Sequence, residues 1–255
     1  MRKYIIAGNW KMFKTRGEAI NFLLQVSDKL PSTDLVDTVV CAQAPVLRDL
    51  VKRQGENLRI GAQNVHFKDS GAYTGETSAI LLQELGVTYV VIGHSERRAM
   101  FNETDETVNL KIKQALAYDL LPIVCVGESL EIRENGTTNE FVRNQVIKAM
   151  EGISENDALN IVFAYEPIWA IGTGRTATPE IAEDTCKAIR DVLKDLYGEE
   201  ASQKIRGEVK ERLYKMGATY AAMSGSGSAL FGLFRERPDL LDREFPDMFT
   251  YSSLF

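Results

Sequence analysis

The sequence predicts an α/β protein built as a parallel (β/α)8-type barrel, with at least six strand–helix units regular and an atypical C-terminal part. Three observations carry the prediction. Six short apolar runs recur along the chain, with helix-patterned stretches between them. The runs are continuous rather than alternating, the pattern of strands buried on both faces. No Gly-x-Gly-x-x-Gly follows the first run, which favours a closed barrel over an open dinucleotide-binding sheet. A chain of 255 residues suits one such domain.

The runs are YIIAGN (4–9), TVVCAQ (38–43), LRIGAQN (58–64), YVVIGH (89–94), PIVCVG (122–127) and IVFAYE (161–166). After the first, RGEAINFLLQVSDKL places Ala19, Phe22, Leu23 and Val26 on one helical stripe. TDETVNLKIKQALAYDL opens on Thr104 as a cap and turns Val108, Ile112, Ala115 and Leu116 inward. TPEIAEDTCKAIRDVLKDLYG has Thr178 as a cap, Pro179 at the first helical position and Gly198 as its stop. Strand and helix in alternation mean a parallel sheet.

The rhythm changes at about residue 206. A seventh apolar strand is due near 205, but the chain supplies Ile205 and then GEVKERLYKMG, a helical pattern with Val209, Leu213 and Met216 on one face. ATYAAM and ALFGLF follow as two strands joined by SGSGS, a β-hairpin pattern. The expected division is 1–206 for the barrel portion and 207–255 for a segment that replaces the last two units. A sheet two strands short exposes the edges of strands one and six. Pairing of ATYAAM with strand one would relieve this.

Composition narrows the function classes. The formal net charge of -6 argues against a nucleic-acid or anionic-membrane surface. No apolar run approaches the roughly 18 residues of a membrane span, and the N-terminus turns polar too early for a signal peptide. Cys41, Cys125 and Cys186 form no metal pattern and read as reduced thiols, the first two buried, in a cytoplasmic protein. His66 has no ligand spacing to His94, so no metal site is expected.

In a parallel barrel reactive residues gather at the C-terminal ends of the strands. The first strand ends in Asn9 and Lys11, the fourth in His94, Ser95 and Glu96, and the sixth in Glu166. Each alone has a structural reading: a core histidine, a solvated lysine, a loop-capping glutamate. Together, an ammonium, an imidazole and a carboxylate at one mouth suit proton transfer next to a carbonyl. The carboxylate abstracts the proton, the imidazole polarises the oxygen, and the ammonium offsets negative charge. After Glu166, Pro167 and Trp169 stiffen a loop that Gly172 and Gly174 allow to hinge, as a water-excluding lid requires.

The motifs AGNWKM (7–12), SGAYTGETSA (70–79), VIGHSERR (91–98) and AYEPIWAIGTGRTAT (164–178) are highly specific in combination. Residues 1 to about 206 resemble the triosephosphate isomerase family. The resemblance implies a TIM-type barrel that interconverts dihydroxyacetone phosphate and D-glyceraldehyde 3-phosphate without a cofactor, as a homodimer. It implies Glu166 as base, His94 as neutral electrophile, Lys11 as electrostatic anchor, Asn9 as a substrate-orienting donor and Gly172 as a lid N–H to the phosphate. Residues 67–78 would be the interdigitating dimer loop, with Thr74 reaching toward the partner's site. The acid–base roles and the lid are those established for that family.

The departures are local. Phe13 stands where the family often has a small polar residue. The seventh-strand Tyr-Gly-Gly-Ser motif and the Gly-Gly turn after the eighth strand, which supply most of the family's phosphate grip, are absent. In their place GATYAAMSGSGSALFGLF (217–234) and FPDMF (245–249) resemble the C-terminal part of the GHMP kinase superfamily, nearest to 4-diphosphocytidyl-2-C-methyl-erythritol kinases. That superfamily's main phosphate loop, Pro-x-Ser-Ser-x-Gly-Leu-Gly, is nowhere in the chain. The expectation is an isomerase with weakened phosphate binding. The alternatives are an inert chimera that binds phosphate ligands weakly and a phosphate-binding module built on SGSGS.

Overall fold

The computed structural model describes residues 4–34, 36–171, 177–207, 220–223 and 230–233. The strands are β1 (Tyr4–Asn9), β2 (Val36–Ala42), β3 (Leu58–Ala62), β4 (Tyr89–Ile92), β5 (Leu121–Val126), β6 (Val162–Tyr165) and β7 (Arg206–Gly207). The helices are α1 (Arg16–Val26), α2 (Leu47–Val51), α3 (Ala79–Leu85), α4 (Ser95–Met100), α5 (Asp105–Ala117), α6 (Leu130–Glu134), α7 (Thr138–Met150), α8 (Glu155–Ala158) and α9 (Pro179–Lys204). Strands β1 to β7 form one sheet in sequence order, with every neighbouring pair parallel. All six apolar runs are strands.

The strands bury both faces, which is why their sequences are continuous in apolar residues. Ile5, Val39, Cys41, Tyr89, Val91, Ile123, Cys125, Val162 and Ala164 pack into one cluster on the concave face. The alternate residues, among them Val40, Ile60, Val90, Val124 and Phe163, pack against the helices. The inward stripe of α5 is as the 3.6-residue period predicts for Val108, Ile112 and Ala115, with Leu116 half-buried. Fully burying such a side chain stabilises by about 1.5–3 kcal/mol. Cys41 and Cys125 are buried thiols outside any disulfide, and burial pushes the Cys41 thiol up to about 12, so it stays protonated.

Capping sets several helix starts. Thr104 and Thr178 cap α5 and α9, and Thr15 forms a capping box with Glu18 at α1. Gly198 ends the first helical stretch of α9, as the sequence reading expects. That residue breaks the helical path at φ 80°, and helical structure resumes through Lys204.

The seventh unit departs from the sequence reading. A strand is present, but it is two residues long and covers only Val162 and Phe163 of β6. Cα atoms of β7 come within 8 Å of those of β1, although no ladder joins the two. The apolar run that normally drives a strand is missing, so only the register inherited from β6 keeps these residues extended. The helix expected over 208–217 lies outside the described residues. The hairpin arms are strands β8 (Tyr220–Met223) and β9 (Leu230–Leu233), antiparallel, with Tyr220 opposite Leu233 and Met223 opposite Leu230. They form a sheet of their own. Pairing of ATYAAM with strand one is therefore corrected: its backbone hydrogen bonds go to β9. The SGSGS connection lies outside the described residues. Among those described, no helix is long and apolar enough to cross a membrane.

Candidate active site

Asn9, Lys11, His94 and Glu166 sit at or just past the ends of their strands. Past β1 the backbone makes a tight turn that carries Lys11 at φ 50°, a left-handed value uncommon for a side chain of this size. The Lys11 N–H donates to Asn9 Oδ1 at 2.9 Å. Gln63, after β3, donates its amide to Asn9 Oδ1 at 3.2 Å, to the Lys11 carbonyl at 2.9 Å and to the Cys41 carbonyl at 3.1 Å. Asn9 Oδ1 is thus taken twice, and its NH2 is the end that can donate to a ligand.

After β4 comes Gly93 at φ 75°, then His94, the N-cap of α4. His94 Nδ1 accepts the Glu96 N–H at 3.2 Å. An accepting Nδ1 carries no proton, which places the single ring proton on Nε2. His94 Nε2 lies 3.0 Å from Glu166 Oε1, and Glu166 Oε2 accepts the Ser95 N–H at 3.1 Å. The Glu166 backbone continues the β6 ladder through its N–H to the Val126 carbonyl, at 2.8 Å. It comes so close to Gly127 that a methyl there would fall on the Glu166 carbonyl, so only glycine fits beside it.

Lys11 Nζ pairs with Glu96 Oε1 at 2.8 Å, and Glu96 Oε2 is 3.6 Å from His94 Nδ1. The order across the mouth is Asn9, Lys11, Glu96, His94, Glu166. Lys11 flanks the His94–Glu166 pair through Glu96. The sequence places Glu96 at this mouth; its bridging role comes from the structure. Gly172 lies outside the described residues.

Burial pushes the His94 imidazole down, but contact with Glu166 and the charge of Glu96 push it up, and the net direction is upward. Burial likewise pushes Glu166 up, and the contacts to His94 and the Ser95 N–H overcome it, holding the carboxyl below the ordinary range. Both shifts depend on the 3.0 Å contact. A ligand that separates the two groups leaves burial dominant, which keeps His94 neutral and makes Glu166 a stronger base.

Glu128, after β5 and fully buried, accepts from the Tyr165 hydroxyl at 3.0 Å on both oxygens and from Trp169 Nε1 at 2.8 Å, and pairs with Arg133 at 3.1 Å. The Arg133 guanidinium lies 4.9 Å from the Trp169 ring. This anchors the chain just before residue 172. The sequence held one hint, an acidic residue directly after an apolar strand, but nothing that named its partners.

The 67–78 loop is braced at its base. Asp69 Oδ1 accepts from Gln114 Nε2 at 2.7 Å and from the Tyr118 hydroxyl at 2.6 Å. The His66 ring contacts Phe67 and Tyr73 at centroid distances of 4.4 and 4.1 Å. Glu76 accepts from Asn64 Nδ2 at 2.8 Å. Residues 68–76 remain exposed, as do Met12, Phe13, Met100 and Phe101.

Known proteins resemble the chain over most of its length. The triosephosphate isomerase family model matches residues 4–207, and the model for the C-terminal part of GHMP kinases matches residues 202–249. The triosephosphate isomerase of Carboxydothermus hydrogenoformans is 50% identical over 207 residues, 81% of this chain and 82% of that protein. That of Lactobacillus delbrueckii subsp. bulgaricus is 50% identical over 206 residues, 80% of this chain and 82% of that protein. With an ammonium, an imidazole and a carboxylate gathered at the mouth of a parallel sheet, and a match across four-fifths of its length, the chain belongs to the triosephosphate isomerase family.

Proposed function

We propose that the chain interconverts dihydroxyacetone phosphate and D-glyceraldehyde 3-phosphate by proton transfer through an enediolate. The observation that carries the reading is the 3.0 Å approach of His94 Nε2 to Glu166 Oε1. Glu166 removes the proton next to the carbonyl, and the Nε2–H of neutral His94 donates to the oxygen that gains charge. Lys11 offsets the charge of the enediolate and the phosphate, and the Asn9 amide orients the substrate. Glu166 accepts the Ser95 N–H, so it must swing toward the substrate, and closing of the lid over the site removes water as it does so. Gly172 contributes its N–H to the phosphate from that lid.

The chain divides at residue 206, with 207–255 replacing the last two units. The family's remaining phosphate donors are lost with them. Each backbone donor to a charged group is worth about 1.5–3 kcal/mol, and two lost donors weaken productive binding roughly a hundredfold or more. The exposed tip of 68–76 and the exposed Met12 and Phe13 fit a homodimer through residues 67–78, since a braced loop with apolar groups in water suits a partner surface. The cytoplasm fits three cysteines that form no disulfide among the described residues.

The test is a coupled assay of triose phosphate turnover with Glu166→Gln beside the parent chain. Turnover by the parent, reduced on the order of 10²–10⁴-fold in the variant, is the expected result. A parent chain that binds a triose phosphate analogue without turning over substrate would overturn the reading in favour of the inert chimera.

A further inference from the structure

The buried charges behind β4 have no part in the chemistry above, yet they converge on the residue before His94. Glu103 Oε1 accepts the Gly93 N–H at 2.6 Å. Arg98 Nε donates to the Gly93 carbonyl at 2.7 Å. One contact holds the peptide plane that enters Gly93, and the other holds the plane that leaves it and carries the His94 nitrogen. Each gripping residue is held in turn. Glu103 Oε2 pairs with Lys111 Nζ at 2.6 Å and with Arg97 Nε at 2.8 Å, with Glu103 and Lys111 both buried. Arg98 Nη1 pairs with Asp105 at 2.6 Å.

We infer that Arg98 and Glu103 are positioning residues for His94, acting through the two peptide planes of Gly93. The left-handed φ of 75° at Gly93 gives the chain a sharp change of direction, and few backbone atoms lie between that bend and the imidazole. A small rotation at Gly93 therefore becomes a larger displacement at Nε2. The fit around the bend is tight: a methyl on Gly93 would lie 3.0 Å from Arg98 Nη2, 3.0 Å from Val108 Cγ2 and 3.2 Å from the Cys125 carbonyl. Among the described residues, Arg98 Nη2 is buried without a hydrogen-bond partner. An unpaired buried donor costs stability, and an ion pair that served stability alone would not need it. The guanidinium is placed for its contact with Gly93.

The kinetic arm of the test rests on the isomerase reading; the spectroscopic arm does not. Arg98→Lys keeps a cation beside Asp105 but removes the Nε–H from the Gly93 carbonyl. Asp105→Asn weakens the ion pair but leaves the Gly93 contact in place. The chain has two histidines, so the imidazole ¹⁵N and ¹H signals of His94 are read against those of His66. In Arg98→Lys the His94 signals move while those of His66 do not, and kcat falls about tenfold or more with KM within about twofold. In Asp105→Asn the melting temperature falls, but kcat and the His94 signals hold. If Arg98→Lys does not fold, Glu103→Met with Lys111→Met removes the other grip together with the buried Lys111 charge, and the partly exposed Arg97 keeps its contact with Glu76. That double variant shows the same shift and the same kcat loss. Unmoved His94 signals in folded Arg98→Lys or in the double variant, or equal effects in Arg98→Lys and Asp105→Asn, would overturn the inference. A parent chain without turnover would refute the isomerase reading and leave the His94 signals to decide this one.

Discussion

Gly127→Ala puts the close approach between β5 and β6 to a direct test. The added methyl falls on the Glu166 carbonyl oxygen, 2.8 Å from the carbonyl carbon and 3.4 Å from Cα. The carbon has to retreat from 2.8 Å to the 3.4 Å at which ordinary contact begins, a minimum of 0.6 Å, and the oxygen must move further. The obstacle is backbone, so no side chain can turn aside to absorb the change. Overpacking of this kind costs about 1–3 kcal/mol. In a chain of this size each kcal/mol lowers the melting temperature by about 2–4 °C. The same movement carries the Glu166 carboxylate away from its 3.0 Å position against His94. A misplacement of about 1 Å in a reacting group costs on the order of 10²-fold in rate. We expect kcat to fall by about ten- to a hundredfold while KM changes little, because Asn9 and Lys11 stand at the end of β1 and in the turn after it and are untouched. The assays are steady-state turnover, far-UV circular dichroism and a thermal melt. Gly17→Ala, where an added methyl meets nothing within 4 Å, is the control. A folded Gly127→Ala with kcat within twofold of the parent would refute the reasoning.

Three further outcomes are expected. Glu128→Gln weakens the acceptor that holds Trp169 and Arg133, so Trp169 fluorescence shifts and kcat falls several-fold; identical emission and turnover would show that the anchor plays no part in the lid. Tyr73→Glu puts a charge on the exposed loop tip, and sedimentation shows a shift from dimer to monomer; a parent chain that is monomeric at every concentration would rule out the dimer. Glu103 titrates below its ordinary value of 4.5, because Lys111, Arg97 and the Gly93 N–H outweigh the upward push of burial. Its contribution to stability is therefore complete above about pH 4.5 and is lost as pH falls through the lower folded value. Melting temperatures between pH 7 and 3 decline more steeply in the parent than in Glu103→Gln, and parallel curves would contradict the assignment.

How far the sequence reaches depends on the range of the interaction concerned. The six strands could be read from apolar runs such as YVVIGH because burial on both faces acts on every residue of the run. The starts of α5 and α9 could be read because a cap acts within three residues. Asn9, Lys11, His94 and Glu166 could be placed at one mouth because strands of a parallel sheet all point their C-terminal ends the same way. Partners distant in sequence were not legible. Glu128 meets Trp169 across 41 residues and Lys111 meets Asn64 across 47, and no local period encodes such a pairing. The buried Glu103–Lys111 pair left one trace, a lysine one position from Ile112 on the inward side of α5. The truncated β7 lay beyond the periodic signal as well, because its two residues are extended through the register of β6 and not through a pattern of their own. The fold class and the reacting groups thus follow from short-range burial and capping along the chain, while the orientation of those groups, from the bend at Gly93 to the crowding at Gly127, exists only once the strands are side by side.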